Sequence, residues 1–252
     1  GFLKLLINPA NPRVVGPALA DAITGFYAAY GILGALYERL KNDPARGRQD
    51  GEGGVRGRHV AVSMLEAMTH FNLDAFTHLF SEGEVMGPYS RPRVSQSYVL
   101  PCADERWIAL HMSSPPKFWD GLAKAIEQPT LFDDPRFASR EARIDHQEAL
   151  IGLLTEAFRQ QPRAEWCRRL EAQDVPHAPM YDSDEVPNDP QARHLQLFVD
   201  TAHPAGGRWT TVRSPVSYDG ERALQVSAPP LLGDHDAALR SGASPWTPRT
   251  DP

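Results

Sequence analysis

The sequence is short of cysteine. Cys102 and Cys167 are the only two in 252 residues, far apart and in neither a metal-binding nor a redox spacing. That count excludes a disulfide framework and a cysteine-based zinc site, and it fits reduced thiols in a cytoplasmic protein. Cys102, which follows Pro101 near an expected strand, reads as a small buried residue rather than a reactive thiol. Positive charge is scarce as well: 26 Lys and Arg stand against 32 Asp and Glu, a formal net charge of −6. Nucleic acid is therefore not expected as a partner. The small clusters Arg46/Arg48 and Arg56/Arg58 read as parts of a solvated loop. Nothing at the start resembles a signal peptide and no apolar run approaches a membrane span, so no membrane is expected either. No internal repeat is visible.

Apolar residues make up 41% of the chain, enough for a real core in one large or two small domains. The organising stretch is Gly16-Pro17-Ala18-Leu19-Ala20-Asp21-Ala22-Ile23-Thr24-Gly25, which runs into a helix predicted to continue to about Lys41. Ile23, Phe26, Tyr30, Leu33, Tyr37 and Leu40 recur at steps of three and four, the period of one buried helical stripe. The other faces carry Ala28, Ala29, Gly31, Gly34 and Ala35, which would let a second backbone approach closely. Each glycine there costs some helix propensity. Asp21 is the lone carboxylate at the helix head. Two readings fit it: an N-cap that accepts from the free N–H groups of the first turn, or a nucleophile whose developing charge the same donors steady. Spacing does not choose between them.

The rest of the chain is well punctuated. Phe2 to Ile7 is a short apolar run, followed by the turn formers Asn8-Pro9 and Asn11-Pro12. Residues 42–58 read as a polar loop. Its run Gly51-Glu52-Gly53-Gly54-Val55-Arg56-Gly57 fails as a phosphate cradle, since Arg56 stands where a third glycine belongs and a strand follows rather than precedes it. Val60, Val62 and Met64 alternate like a short strand, and a helix is predicted from Ser63 to Phe80. On it His70, Asp74 and His78 share a face. One helix face makes a poor tetrahedral set, so pairing or an interface is expected there, and no metal. Residues 81–95 read as a linker. Ser97–Leu100 and Trp107–Met112 read as a hairpin, then a helix capped by Ser114 with Pro115 at its first position turns Trp119, Leu122 and Ile126 inward. Asp145 and Glu148 make a capping box for a helix to Phe158, with Leu150, Leu153, Leu154 and Phe158 facing the core. Pro162–Ala172 forms a further helix burying Trp166 and Leu170. His177, between prolines, reads as an exposed loop residue rather than a general base. Strands are expected around Phe198-Val199 and Arg213–Val216. Leu224-Gln225-Val226 then precede a closing segment, and Ser241–Pro252 form a disordered tail.

Leu19 to Leu36 resembles the central signature of the class III (CaiB/BaiF) CoA-transferases. Five further stretches follow in that family's order: His59 to Ala67, Asp133-Asp134-Pro135-Arg136-Phe137 with the Arg140 to Arg143 segment, Asp174-Val175-Pro176-His177-Ala178-Pro179, Asn188-Asp189-Pro190-Gln191-Ala192-Arg193, and Ala228 to Asp236. Three departures stand out. Tyr89 to Tyr98 replaces a glycine-rich or His-Pro segment, Asp104-Glu105 replaces an Asp-Gly turn, and Asp174 replaces a glycine.

The resemblance implies an α/β fold of the CaiB/BaiF type, with an incomplete large Rossmann-like domain plus a small α+β domain, in an interlocked homodimer. Residues 1–80 and 186–252 would belong to the large domain and 96–185 to the small one, with 81–95 as the linker. It implies that Asp21 is the catalytic residue of a CoA-transferase, working through an aspartyl mixed anhydride and an aspartyl-CoA thioester. Ala22 and Gly25 would leave room for the acyl group, and Thr24 or nearby backbone N–H groups would support the oxyanion. Acyl-CoA and a carboxylic acid are the implied substrates, with no permanently bound cofactor and no metal. A 2-methylacyl-CoA racemase, or a non-catalytic or truncated subunit of the same fold, are the alternative expectations. The family's N-terminal Rossmann-like portion, which supplies most of the CoA site, has no counterpart here. Either the chain is a fragment or another polypeptide supplies that half.

Overall fold

The computed structural model describes residues 2–14, 16–41, 57–112, 116–222 and 226–242, and the chain divides into two compact units, residues 1–179 and 180–252. The glycine-rich run ending at Arg56, the Ser114-Pro115 cap, Leu224-Gln225 and the tail from residue 243 lie outside the described residues.

The first unit opens with a short helix, α1 (Phe2–Leu6), and then the 23-residue α2 (Leu19–Lys41). Gly16, in the left-handed region at φ +85°, turns the chain into α2, whose first intrahelical bond runs from the Ala22 N–H to the Ala18 carbonyl at 3.1 Å. The periodic stripe is there, but its expected burial is not. Ile23 is buried, whereas Phe26, Tyr30, Leu33 and Tyr37 are 76, 78, 66 and 70% exposed. Periodicity reports that a face is apolar, and it does not say that the covering surface belongs to the same chain. By length and composition alone α2 is also long and apolar enough to cross a membrane. That corrects the expectation that no stretch approaches a span. Its charges, Asp21, Glu38, Arg39 and Lys41, sit near its two ends.

Residues 57–63 are irregular rather than a strand. Ser63 instead caps α3 (Met64–Phe71): its hydroxyl accepts the Glu66 N–H at 3.2 Å and donates to the Glu66 carboxylate. Apolar alternation across Val60, Val62 and Met64 imitated a strand whose hydrogen-bonding partner does not exist among the described residues. The helix predicted through Phe80 breaks at Asn72, which ends α3 and precedes α4 (Leu73–Glu82). Gly83, at φ +72°, ends α4 in a left-handed cap, its N–H bonded to the Leu79 carbonyl at 3.0 Å. The expected linker contains a helix, α5 (Ser90–Ser95).

The core of this unit forms around the expected hairpin. β1 (Ser97–Pro101) and β2 (Trp107–His111) pair antiparallel, with Tyr98 opposite Leu110 and Leu100 opposite Ile108, all four buried. β3 (His177–Met180) completes a sheet of order β1-β2-β3. Against its inner face pack side chains from α6 (Pro116–Ala125), α8 (Gln147–Phe158) and α9 (Arg163–Ala172). Trp119, Leu122, Ile126, Trp166 and Leu170 are buried as their spacing predicts. Each such side chain contributes about 1.5–3 kcal/mol of burial. Two expectations fail here. Leu153 is 39% exposed, while Leu150, Leu154 and Phe158 are fully buried. No capping box forms at Asp145, because it is the last residue of another helix, α7 (Arg140–Asp145), which Ser139 caps by accepting the Ala142 N–H at 3.1 Å.

In the second unit Asp189 caps α10 (Pro190–His194), accepting the Ala192 N–H at 2.8 Å. β4 (Phe198–Ala202) and β5 (Arg208–Val212) form an antiparallel pair, so the second return strand lies just before the expected Arg213–Val216. Arg213 is buried, its guanidinium donating to the carbonyls of Leu195, Gln196 and Arg222. A last short helix, α11 (Asp236–Arg240), follows.

Candidate active site

Asp21 is the third residue of α2 and not its N-cap. The Leu19 N–H already bonds the Pro17 carbonyl at 2.7 Å and the Ala22 N–H closes on Ala18, so Ala18 holds the cap position with no side-chain acceptor. The N–H groups of Ala20 and Asp21 are then first-turn donors with no intrahelical acceptor. Asp21 is exposed, and among the described residues no hydrogen bond or ion pair engages its carboxylate. Its lone pairs are free, next to the positive end of a long helix dipole.

At about 100° per residue, Thr24, Gly25 and Ala28 share the Asp21 side of the helix, while Ile23, Phe26, Tyr30 and Tyr37 face away from it. Around Gly25 there is open space: a Cβ added there meets nothing within 4 Å. Ala22 is exposed. The Thr24 hydroxyl donates to the Ala20 carbonyl at 2.6 Å, so its proton is committed to the helix backbone. Of the expected oxyanion supports, that leaves the backbone N–H groups as the free donors. The arrangement is an uncommitted carboxylate on an open helix shoulder, close to first-turn N–H groups that have no intrahelical acceptor.

Two cavities of the unit lie elsewhere. An apolar one of about 630 Å³ is lined by Ile23, Phe26, Tyr27, Tyr30, His70 and Phe71, on the side of α2 turned away from Asp21. Another, of about 730 Å³, is lined by Gln96, Trp119, Phe132 and Arg143 among others. Asp21 lines neither. The His70, Asp74 and His78 set expected on one helix face is dispersed by the break at Asn72. His70 Nδ1 lies 2.6 Å from the Tyr27 hydroxyl, Asp74 pairs with Arg91 at 3.5 Å, and His78 faces Glu82 and Glu84. The Tyr27–His70 pair joins residues 43 apart, and no local spacing announces it. His177 is half-buried, with Nδ1 2.8 Å from the Val175 carbonyl. Cys102 is buried, and burial pushes its thiol up to about 11.

Residues 1–236, with Asp21 near the head of the matched stretch, fit the description of CoA-transferase family III. The chain belongs to CoA-transferase family III. Among its relatives is the formyl-CoA:oxalate CoA-transferase of Streptomyces avermitilis, 27% identical over 92% of this chain and 57% of the relative. The human succinyl-CoA:glutarate CoA-transferase is 23% identical over 92% of this chain and 51% of its own length. A CaiB/BaiF family protein from Brucella suis has the same fold, with a TM-score of 0.76 at 23% identity, covering 96% of this chain and 60% of that one. The family III chain described here therefore spans little more than half the length of the curated relatives it matches. The α/β fold of the CaiB/BaiF type expected from the sequence is the one observed.

Proposed function

We propose that this chain carries the nucleophilic part of a CoA-transferase, which moves CoA from an acyl-CoA to a carboxylic acid, and that Asp21 is the nucleophile. The supporting observation is the free Asp21 carboxylate in the first turn of α2, inside the stretch that matches the family. An Asp21 oxygen attacks the donor thioester carbonyl and expels CoA thiolate, leaving a mixed anhydride. The thiolate then attacks the aspartyl carbon of that anhydride and releases the donor acid as its carboxylate. The product is an aspartyl-CoA thioester. The acceptor carboxylate attacks this thioester, again expelling thiolate, and thiolate attack on the acceptor's acyl carbon restores Asp21 and forms the new acyl-CoA. Each carbonyl addition places negative charge on oxygen, and the N–H groups of Ala20 and Asp21 are the donors we assign to it. Ala22 and Gly25 give the acyl group space, and the Thr24 hydroxyl, bonded to Ala20, fixes the backbone of that turn.

Both covalent intermediates hydrolyse in water, so the chemistry needs a dry site. Asp21 is exposed here, and we infer that a further polypeptide segment covers it, matching the part of the relatives beyond this chain. A cytoplasmic homodimer, with residues 1–80 and 186–252 in a large domain and 96–185 in a small one, completes the proposal. The experiment is intact-mass analysis of the purified protein, with whatever polypeptide accompanies it, after exposure to several acyl-CoAs. A CoA-sized adduct mapped to Asp21, released by hydroxylamine and absent in Asp21→Ala, is the expected result. Loss of α-deuterium from a 2-methylacyl-CoA without any adduct would overturn it in favour of a racemase. No adduct and no exchange in the presence of the covering segment would leave a non-catalytic subunit.

A further inference from the structure

The end of α4 gathers three side chains that the proposed reaction does not use. His78 and Glu82 stand one turn apart on the helix. Glu84 lies beyond it, returned toward them by the left-handed turn at Gly83, φ +72°. His78 Nδ1 is 3.5 Å from Glu82 Oε2 and 3.3 Å from Glu84 Oε2, and one ligand atom from each residue lies within 4.8 Å of the other two. Charge-assisted N–H···O bonds run shorter, at about 2.7–2.9 Å. The Nδ1 atom is itself buried and has no hydrogen-bond partner.

We propose that His78, Glu82 and Glu84 form a binding site for a zinc-class divalent cation. Zinc bonds of about 2.0–2.1 Å to nitrogen and oxygen at tetrahedral angles put neighbouring ligand atoms about 3.3–3.4 Å apart, which is the spacing found between Nδ1 and the two carboxylate oxygens. An imidazole whose Nδ1 has no hydrogen-bond partner, with two carboxylates beside it, is a donor set for a borderline cation rather than for magnesium or calcium, which take oxygen ligands. Glu82 is the last residue of α4, where the helix dipole disfavours a carboxylate. A cation there reverses that penalty. The neighbouring arginines are engaged elsewhere, Arg91 with Asp74 at 3.5 Å and Arg140 with the Val94 carbonyl at 2.9 Å. A cavity of about 240 Å³, lined by His78, Glu84, Met86 and Ser90 among others, adjoins the site and leaves room for a fourth ligand. Sequence spacing pointed to His70 and Asp74 as companions of His78, because the turn at Gly83 that supplies Glu84 has no helical period.

The test is calorimetric titration of the whole chain with Zn²⁺, with Mg²⁺ as the control, alongside His78→Ala and Glu84→Gln. All three side chains are at least part-exposed, so neither variant is expected to lower the melting temperature without metal. The expected result is one Zn²⁺ per chain, a melting temperature raised by zinc but not by Mg²⁺, and affinity lower by about 100-fold or more in each variant, at least the loss seen for outer-shell partners of metal sites. Zinc binding of the unaltered chain no tighter than that of His78→Ala would overturn the assignment. So would a site that survives Glu84→Gln, or one filled equally well by Mg²⁺.

Discussion

Arg143 is a charge placed almost wholly inside protein, 9% exposed. Its Nε donates to Gln96 Oε1 at 3.1 Å, its Nη1 donates to the Phe137 carbonyl at 2.7 Å, and its guanidinium lies 4.2 Å from the Trp119 ring centroid. Burial lowers its pKa, and burial also pushes the nearby Tyr98 hydroxyl up to about 12. Arg143→Ala leaves two buried acceptors unpaired and a gap over Trp119, so a loss of about 2–4 kcal/mol is expected in urea unfolding. Lysine should recover little, since an ammonium lacks the planar fork that serves both acceptors and stacks on the ring. Glu165 is a surface case with a pH signature. It accepts from Arg168 at 2.6 and 2.8 Å and from Arg169 at 2.8 Å, and these bonds hold its carboxyl at about 2 instead of 4.5. A lowered folded-state pKa stabilises above the ordinary value and is lost as pH falls from about 4.5 toward 2. In acid titrations Glu165→Gln is therefore expected to be less stable than the unaltered chain near neutrality, the difference shrinking as pH falls from about 4.5 and vanishing below about 2.

Between elements, the tightest approach to a glycine among the described residues is at Gly121 in α6. A Cβ there would sit 2.8 Å from the Gln173 carbonyl oxygen and 2.9 Å from Val175 Cγ2, so Gly121→Ala is expected to cost about 1–3 kcal/mol. Gly152 in α8 is the counterpart: nothing lies within 4 Å, and Gly152→Ala should gain up to about 1 kcal/mol from helix propensity. Thermal melts of the two variants should shift in opposite directions. What was legible from sequence at this scale is what local chemistry decides. α2, the β1–β2 hairpin and the buried faces of α6 and α9 follow from period and turn residues. The departures from family glycines were informative too: Glu105 and Asp174 hold left-handed conformations at φ +61° and +54°, the backbone that a glycine would take there. Other features depended on competition between neighbours. Ser63 caps a helix where alternation suggested a strand, Asp145 ends α7 instead of capping α8, and Asn72 split one predicted helix into two. Asp21 was singled out as a candidate by motif. Its place as third residue of the helix required the backbone.

For the molecule as a whole, α2 presents an apolar face that the described residues leave largely exposed. Phe26, Tyr30, Leu33 and Tyr37 form one exposed line, longer than the isolated apolar residues that a soluble surface ordinarily shows. This chain spans only 57% and 51% of two of its relatives, and the stripe and the exposed Asp21 occupy opposite sides of the same helix. A segment that wrapped α2 would cover the first and dry the second. The chain by itself is accordingly expected to bind a hydrophobic dye such as ANS and to self-associate. Co-expression with a polypeptide matching the remaining part of a relative should suppress both. Burying one such aromatic side chain is worth about 1.5–3 kcal/mol, so Phe26→Ser should weaken that complex by about 10- to 100-fold, at 1.4 kcal/mol per decade. Phe26 projects away from Asp21, so saturating amounts of the added polypeptide should restore the CoA-sized adduct proposed at Asp21 in Phe26→Ser but not in Asp21→Ala. A monodisperse chain that binds no dye would show instead that the stripe is tolerated in water, and the dry site would then have to be built from this chain alone.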